Sequence, residues 1–303
     1  MQKSILRKDY MSRAIKSIAV SAMAAVFCLF GVAAFAESYN TQSVSGATGL
    51  ITTPTANVGW QGKSTFGLDL GYHLLPDFNG WGNVFKGTVS ILGRGEIGGA
   101  CDVQRRDKPN RKNEQDAWVH GKFKILNDPC CSLAIGGNFQ WIDINNDNTE
   151  GKVFQLYLAY TFTNSVFNMP VDTTFVIGKT MNVDKIKAGY RKRGNERQLY
   201  LRIDNKDDLY SRRGDIDFSV GFDFDLFPQT FKHYVHWVTD FANYSYSVDP
   251  MGALPRYRAC ANTGLRIVPI KNKNFKWNID LLLTDFFDHN REWAVGTTFG
   301  FAF

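Results

Sequence analysis

From residue 64 to the end of the chain, large apolar side chains recur at every second position, segment after segment, with turn residues between the segments. The clearest stretch is Asp215–Asp225. There Ile216, Phe218, Val220, Phe222 and Phe224 alternate with Asp217, Ser219, Gly221 and Asp223. Successive side chains of a β-strand point to opposite faces, so such a strand has one apolar and one polar face. In a soluble protein a second sheet must cover the apolar face. In a membrane barrel lipid covers it, and the polar face lines a lumen. The same pattern holds for Phe66, Leu68, Leu70 and Tyr72, for Phe154, Leu156, Leu158, Tyr160 and Phe162, and for Trp277, Ile279, Leu281 and Leu283. Leu133, Ile135, Phe139 and Trp141 follow it too. The 24 Phe, 12 Tyr and 7 Trp fit many short half-apolar strands, and beyond the first 36 residues no apolar run reaches the length of a membrane-spanning helix.

The pattern predicts an all-β, transmembrane antiparallel β-barrel occupying residues 63–303. Its strands are expected at 64–74, 84–91, 95–103, 116–126, 132–143, 152–163, 171–180, 184–191, 197–204, 214–225, 231–246, 257–268, 275–286 and 293–303. The faintest is 184–191, around Ile186, Ala188 and Tyr190. Retaining it gives fourteen strands, and it puts the short connections (92–94, 127–131, 226–230, 269–274) at one end of the barrel. The longer polar ones (75–83, 104–115, 144–151, 205–213, 247–256, 287–292) then fall at the other end. Bacterial single-chain barrels have even strand numbers, so fourteen is expected and twelve is the alternative.

The compartment is read from residues 1–36. Lys3, Arg7, Lys8, Arg13 and Lys16 stand against one acid, Asp9. An apolar run from Ser17 to Ala34 ends in Ala34-Phe35-Ala36, the pattern of a secretory signal cleaved after Ala36. Of the formal charge of +6, those five basic residues and one acid account for most, leaving 30 basic against 28 acidic residues, or +2, for 37–303. The two signs are interleaved with no basic stripe, so nucleic acid is not an expected partner. Cys101, Cys130, Cys131 and Cys260 follow the leader. Disulfides are permitted in an exported protein, but the spacing is not that of a metal site and predicts no pairing. No metal or cofactor is expected. The last strand places Phe299, Phe301 and Phe303 on one face. They resemble the C-terminal signal of bacterial outer-membrane proteins, in which a terminal Phe is read by the barrel-assembly machinery.

The expected lumen-lining charges are Asp69, Glu96, Asp217, Asp223 and Asp280, with Lys86, Lys122, Lys124, Arg202, Arg258 and Arg266. Five acids against six bases form no ring of one sign, so strong ion selectivity is not expected. Either these groups line a pore, or they pair across the lumen and hold its shape. Inward Gly67, Gly71, Gly136, Gly221, Gly296 and Gly300 leave room for water or a plug. Asp288-His289, with Asp285 nearby, could activate water at the rim. No Gly-x-Ser-x-Gly or His-Glu-x-x-His accompanies them, and no catalytic residue is assigned. A basic connection (Arg105, Arg106, Lys108, Arg111, Lys112) and an acidic one (Asp143, Asp147, Glu150) are either solvated loops or contacts for lipopolysaccharide and glycan.

Residues 37–62 lack the alternation. Gly46 and Gly49 permit sharp turns, and Pro54 interrupts any strand. This is expected to be a periplasmic or lumenal segment, either packed beneath the barrel or folded back to narrow the pore. Gly46-Ala-Thr-Gly-Leu-Ile-Thr-Thr-Pro-Thr-Ala56, followed by Gly62-Lys-Ser-Thr-Phe-Gly-Leu68, resembles the opening of YjbH-like outer-membrane barrels, G-x-x-G-L-I-x-x-P-[ST]-A before a membrane strand. Arg94-Gly-Glu-Ile-Gly98, Lys122-Phe-Lys-Ile-Leu126 and Leu133-Ala-Ile-Gly-Gly137 are similar to later strands of that family. The resemblance covers roughly residues 46–140. It implies an association with exopolysaccharide production. The expected function is thus a non-enzymatic passive pore or transport-associated barrel linked to surface polysaccharide. A non-conducting structural or interaction barrel is the alternative, and a rim hydrolase is a third reading. Expected partners are outer-membrane lipid, lipopolysaccharide, the assembly machinery and polysaccharide.

Overall fold

A sheet of amphipathic strands removes its two unpaired edges only by closing on itself, and this chain does so. The computed structural model describes residues 40–61, 66–77, 80–106, 114–128, 130–142, 151–182, 186–193, 196–203, 216–243, 260–284, 286 and 292–303. Its strands are β1 (Phe66–Asp77), β2 (Gly80–Ile91), β3 (Gly95–Arg106), β4 (Glu114–Asn127), β5 (Cys131–Ile142), β6 (Gly151–Val166) and β7 (Met169–Asn182). They continue with β8 (Ile186–Arg193), β9 (Glu196–Ile203), β10 (Asp217–Asp225), β11 (Val235–Ala242), β12 (Cys260–Lys271), β13 (Phe275–Thr284) and β14 (Glu292–Ala302). Twelve of them form a closed antiparallel barrel, each strand beside its neighbour in sequence except that β7 pairs with β10. The seam is β1 against β14, from Gly67↔Ala302 to Leu74↔Val295.

The strand count of the barrel is therefore the alternative, twelve. The two supernumerary strands exist, but β8 and β9 pair only with each other as a separate ribbon. Meanwhile β7 meets β10 directly, from Gly178↔Asp217 to Val171↔Phe224. The physical reason lies in composition. Residues 186–203 hold six basic side chains and one acid, and two of them, Lys192 and Arg197, interrupt the alternate positions Ile186, Ala188, Tyr190, Leu199, Leu201 and Ile203 that a wall strand would need for its apolar band. The expected strand 231–246 is also corrected. Its first residues belong to a helical turn, Pro228–Phe231, and to the connection after it, with Lys232 and His233 at positive φ.

The sidedness of the wall follows the alternation. Phe66, Leu70, Phe85, Ile97, Val119, Phe123, Ile135, Leu156, Ile177, Leu281 and Phe299 are exposed on the outside, while Asp69, Lys86, Glu96, His120, Lys122, Asn138, Asn278 and Asp280 are buried within. One strand departs from this pattern: Val220, Phe222 and Phe224 of β10 are buried on the outer face, clustered with Val171 beside Phe175 and Phe241. Short connections lie at one end (92–94, 128–130, 167–168, 272–274); at the other, β1 and β2 are joined by two residues instead of the expected 75–83, because both strands run further than the alternation indicates. Register shifts at Lys124/Leu126 and Ile267/Ile270 sit near that same end, where bulges commonly terminate pairing.

Candidate functional site: a plugged lumen

The lumen is occupied by the chain's own residues 40–61. Every residue from Thr41 to Gly59 is buried. The segment is compact because it turns sharply on itself. Ser43 N–H donates to Ala47 O (2.8 Å), Gly49 N–H to Thr41 O (2.8 Å), Val44 N–H to Ile51 O (2.8 Å) and Leu50 N–H to Thr53 O (2.9 Å). Gly46 has φ 91°, and a Cβ at Gly49 would stand 2.4 Å from Thr53 O, so both turns require glycine. Val44, Leu50 and Ile51 pack against Val238, Leu282 and Ala294 of the wall, a small apolar core inside the barrel. Ala56 joins Ala134, Tyr157, Ala159 and Val176 in a second.

The remaining contacts are polar and surround the segment. Three wall lysines each donate to two plug carbonyls: Lys86 to Gln42 (3.4 Å) and Ser43 (2.7 Å), Lys122 to Thr48 and Thr55 (both 2.9 Å), and Lys276 to Asn40 (2.8 Å) and Gly59 (2.9 Å). Two wall acids take plug N–H groups. Glu96 accepts from Thr48 (3.0 Å). One oxygen of Asp240 accepts from Ile51 (3.1 Å), Thr52 (2.6 Å) and Thr53 (2.9 Å), while Asn262 donates to the other oxygen at 2.8 Å. Gln42 donates to Thr88, Thr41 to Asn278, Trp60 to Asp69, and Thr161 accepts from Ala56 N–H. Buried backbone groups must be paired, and here the wall supplies the partners that secondary structure would otherwise provide.

The wall charges also pair among themselves. Lys122 and Glu96 lie 3.0 Å apart, Lys276 and Asp69 3.1 Å, and Arg266 donates to Asp280 at 2.8 Å with Asp223 at 3.9 Å. His73 stands 3.6 Å from Asp280, and His236 bonds Asp223 at 2.8 Å. Gln155 and Thr180 donate to Asp217.

Of the expected lumen charges, Asp69, Lys86, Glu96, Lys122, Lys124, Asp217, Asp223, Arg266 and Asp280 are buried on the inner face. Eight of these nine contact the plug or a residue that contacts it: Asp69, Lys86, Glu96, Lys122, Lys124, Asp223, Arg266 and Asp280. Arg202 is a correction. It belongs to β9, outside the barrel sheet, because alternation alone cannot tell a wall strand from a free ribbon. Arg258 lies outside the described residues, as do Asp285, Asp288, His289 and the segment 1–36. Phe299, Phe301 and Phe303 are exposed on or just beyond β14. Sequence reading missed Asp240, Lys276 and Asn262. The first two carried a usable signal, since each alternates with outward aromatics (Trp237 and Phe241; Phe275 and Trp277).

The inward glycines divide by what they admit. A Cβ at Gly67 would strike the Trp60 ring at 2.0 Å, one at Gly71 would meet Gln42 Oε1 at 2.3 Å, and one at Gly221 would meet Leu50 Cδ1 at 2.1 Å. These three make room for the plug. Gly136, Gly296 and Gly300 make room for Tyr157, His73 and the Asp69–Lys276 pair.

No family model and no curated protein matches the chain. Among solved structures it is similar to the KdgM porin (7% identity, TM-score 0.44, covering 77% of this chain and 98% of that one). It is similar also to the NanC porin (8%, 0.45, 77% and 98%) and to the Acinetobacter baumannii outer membrane protein Omp33 (8%, 0.37, 80% and 100%). Likeness at this level decides nothing about what the barrel carries.

Proposed function

We propose that this chain is an outer-membrane barrel of porin-like build that stands closed as folded, with residues 40–61 as its resident plug. Its transport-associated role then depends on the plug moving. The membrane reading is supported by the wall's inverted sidedness: large apolar side chains outside, charges and amides inside, and no unpaired edge. The observation that carries the closed state is the ring of grips on residues 40–61 from β1, β2, β3, β4, β6, β11, β12 and β13. The segment that resembles YjbH-like barrels, residues 46–56, is the body of the plug. That resemblance supports a link to surface exopolysaccharide through this element.

The test is single-channel conductance in a planar bilayer. The intact protein should be silent, and a variant lacking residues 40–61 should show discrete openings. Steady conductance from the intact protein, or silence from a deletion variant that is folded and heat-modifiable, would sink the proposal. In cells, the same deletion should change surface polysaccharide yield if the glycan link is correct.

A further inference from the structure

A narrow cleft lies between the plug and the wall strands β7 and β10, near the short-turn end. Its polar lining is Asn40, Thr48, Thr55 and Asn57 from the plug and Asp172 and Asp223 from the wall. Each of these side chains carries oxygen. The space admits little more than one water-sized group, too little for a sugar ring. A small ion is the class of ligand that fits.

The charge around the cleft sets the sign of that ion. The register places Asp172 directly opposite Asp223, and like charges at facing positions of a sheet repel. The plug does nothing to neutralise them, because residues 40–61 contain no charged side chain. The nearest inward guanidinium, Arg266, is already engaged. It donates to Asp280 at 2.8 Å and to Leu50 O at 3.3 Å, and it approaches Asp223 only to 3.9 Å. Asp225 and Asp240 lie on the neighbouring stretches of β10 and β11. His236 bonds Asp223 and His233 bonds Asp225. Even with both imidazoles charged beside Arg266, the four carboxylates Asp172, Asp223, Asp225 and Asp240 outnumber the cations on this side of the lumen.

An atom of the plug points to the same ligand. Thr48 is buried, and its Oγ has no hydrogen-bond partner among the described residues. Its backbone is fully used, with the N–H donating to Glu96 at 3.0 Å and the carbonyl accepting from Lys122 at 2.9 Å. A buried hydroxyl left without a partner is costly, and Thr48 faces the two carboxylates across the cleft. Carboxylate and hydroxyl oxygens, completed by water, are the ligands of a hard divalent cation, and calcium accepts them in a flexible arrangement.

We infer that this cleft binds one hard divalent cation, held by Asp172 and Asp223 of the wall and by Thr48 Oγ of the plug, and that the cation pins the plug to β7 and β10. The inference rests on the plug reading above.

The experiment is a calorimetric titration with calcium chloride alone of the full mature chain, folded in detergent and freed of metal by a chelator. One calcium should bind per chain. Asp172→Asn with Asp223→Asn should weaken binding roughly 10- to 100-fold. Thr48→Val should weaken it as well, while Thr48→Ser keeps it. Asp128→Asn, which removes an exposed carboxylate at the same end, should leave it unchanged. Calcium should also slow hydrogen exchange of the plug amides by the factor 1 + [Ca]/Kd, about tenfold at roughly ten times Kd. Absence of binding overturns the inference, as does equal binding by the doubly substituted chain in its heat-modifiable form. Undiminished binding by Thr48→Val, or calcium binding without slower plug exchange, would place the ion on the wall alone and overturns the pinning. A silent channel that binds no calcium sinks only the cation site, whereas steady conductance from the intact calcium-loaded protein sinks the plug reading itself.

Discussion

The plug's hold is concentrated in a few side chains, and Asp240 has the most to lose. Asp240→Ala strands three plug N–H groups, at about 1–3 kcal/mol for each left unpaired. The amides of Ile51, Thr52 and Thr53 should exchange faster by orders of magnitude, and brief openings should appear in conductance records. Asp240→Asn keeps an acceptor and should do less. Gly221→Val places a side chain where Leu50 now sits. It should open the barrel, and adding Leu50→Ala should restore closure, a coupling that a double-mutant cycle would measure. At the short-turn end, Phe167 is 90% exposed with φ 50°. That left-handed conformation suits glycine, so Phe167→Gly should stabilise the barrel in detergent by about 1 kcal/mol, read from urea unfolding. The inward charges were legible in the sequence because alternation fixes the face on which each one lies. Their partners were not, because residues 40–61 have no periodicity from which a position could be deduced.

The strands were nearly all legible as elements, since one-residue errors of phase would turn an apolar face inward and the sequence forbids it. What alternation could not supply was membership of the barrel. β8 and β9 alternate over most of their length as wall strands do, yet β7 and β10 pair without them. Replacing residues 179–216 by a two-residue Asn-Gly turn, so that the facing Gly178 and Asp217 flank it, should therefore leave a closed, heat-modifiable barrel; loss of that form would mean that the removed segment is needed for closure. The stretch 231–246 misled for a different reason. Pro228 begins a helical turn that takes Phe231 out of the wall, and the strand starts only at Val235.

Among the described residues the barrel is inverted, with its charges packed inside and most of its large apolar side chains outside. Buried pairs are screened far less than exposed ones. Plug protection should therefore be nearly the same at 0.05 and 1 M salt; a plug that loosens in salt would show its grips to be wetter than the structure has them. The plug also bears on how such a molecule forms. Thr41 bonds Asn278, 237 positions away, and Thr52 meets Asp240 across 188. Contacts of such separation exact loop-closure entropy before they return anything, and they fold slowly. Until β11–β13 arrive, residues 40–61 lack their strongest partners, and until β14 meets β1 the wall has an open edge. Closing the seam and seating the plug are thus one cooperative event, with the plug serving as the core around which the last strands are wrapped.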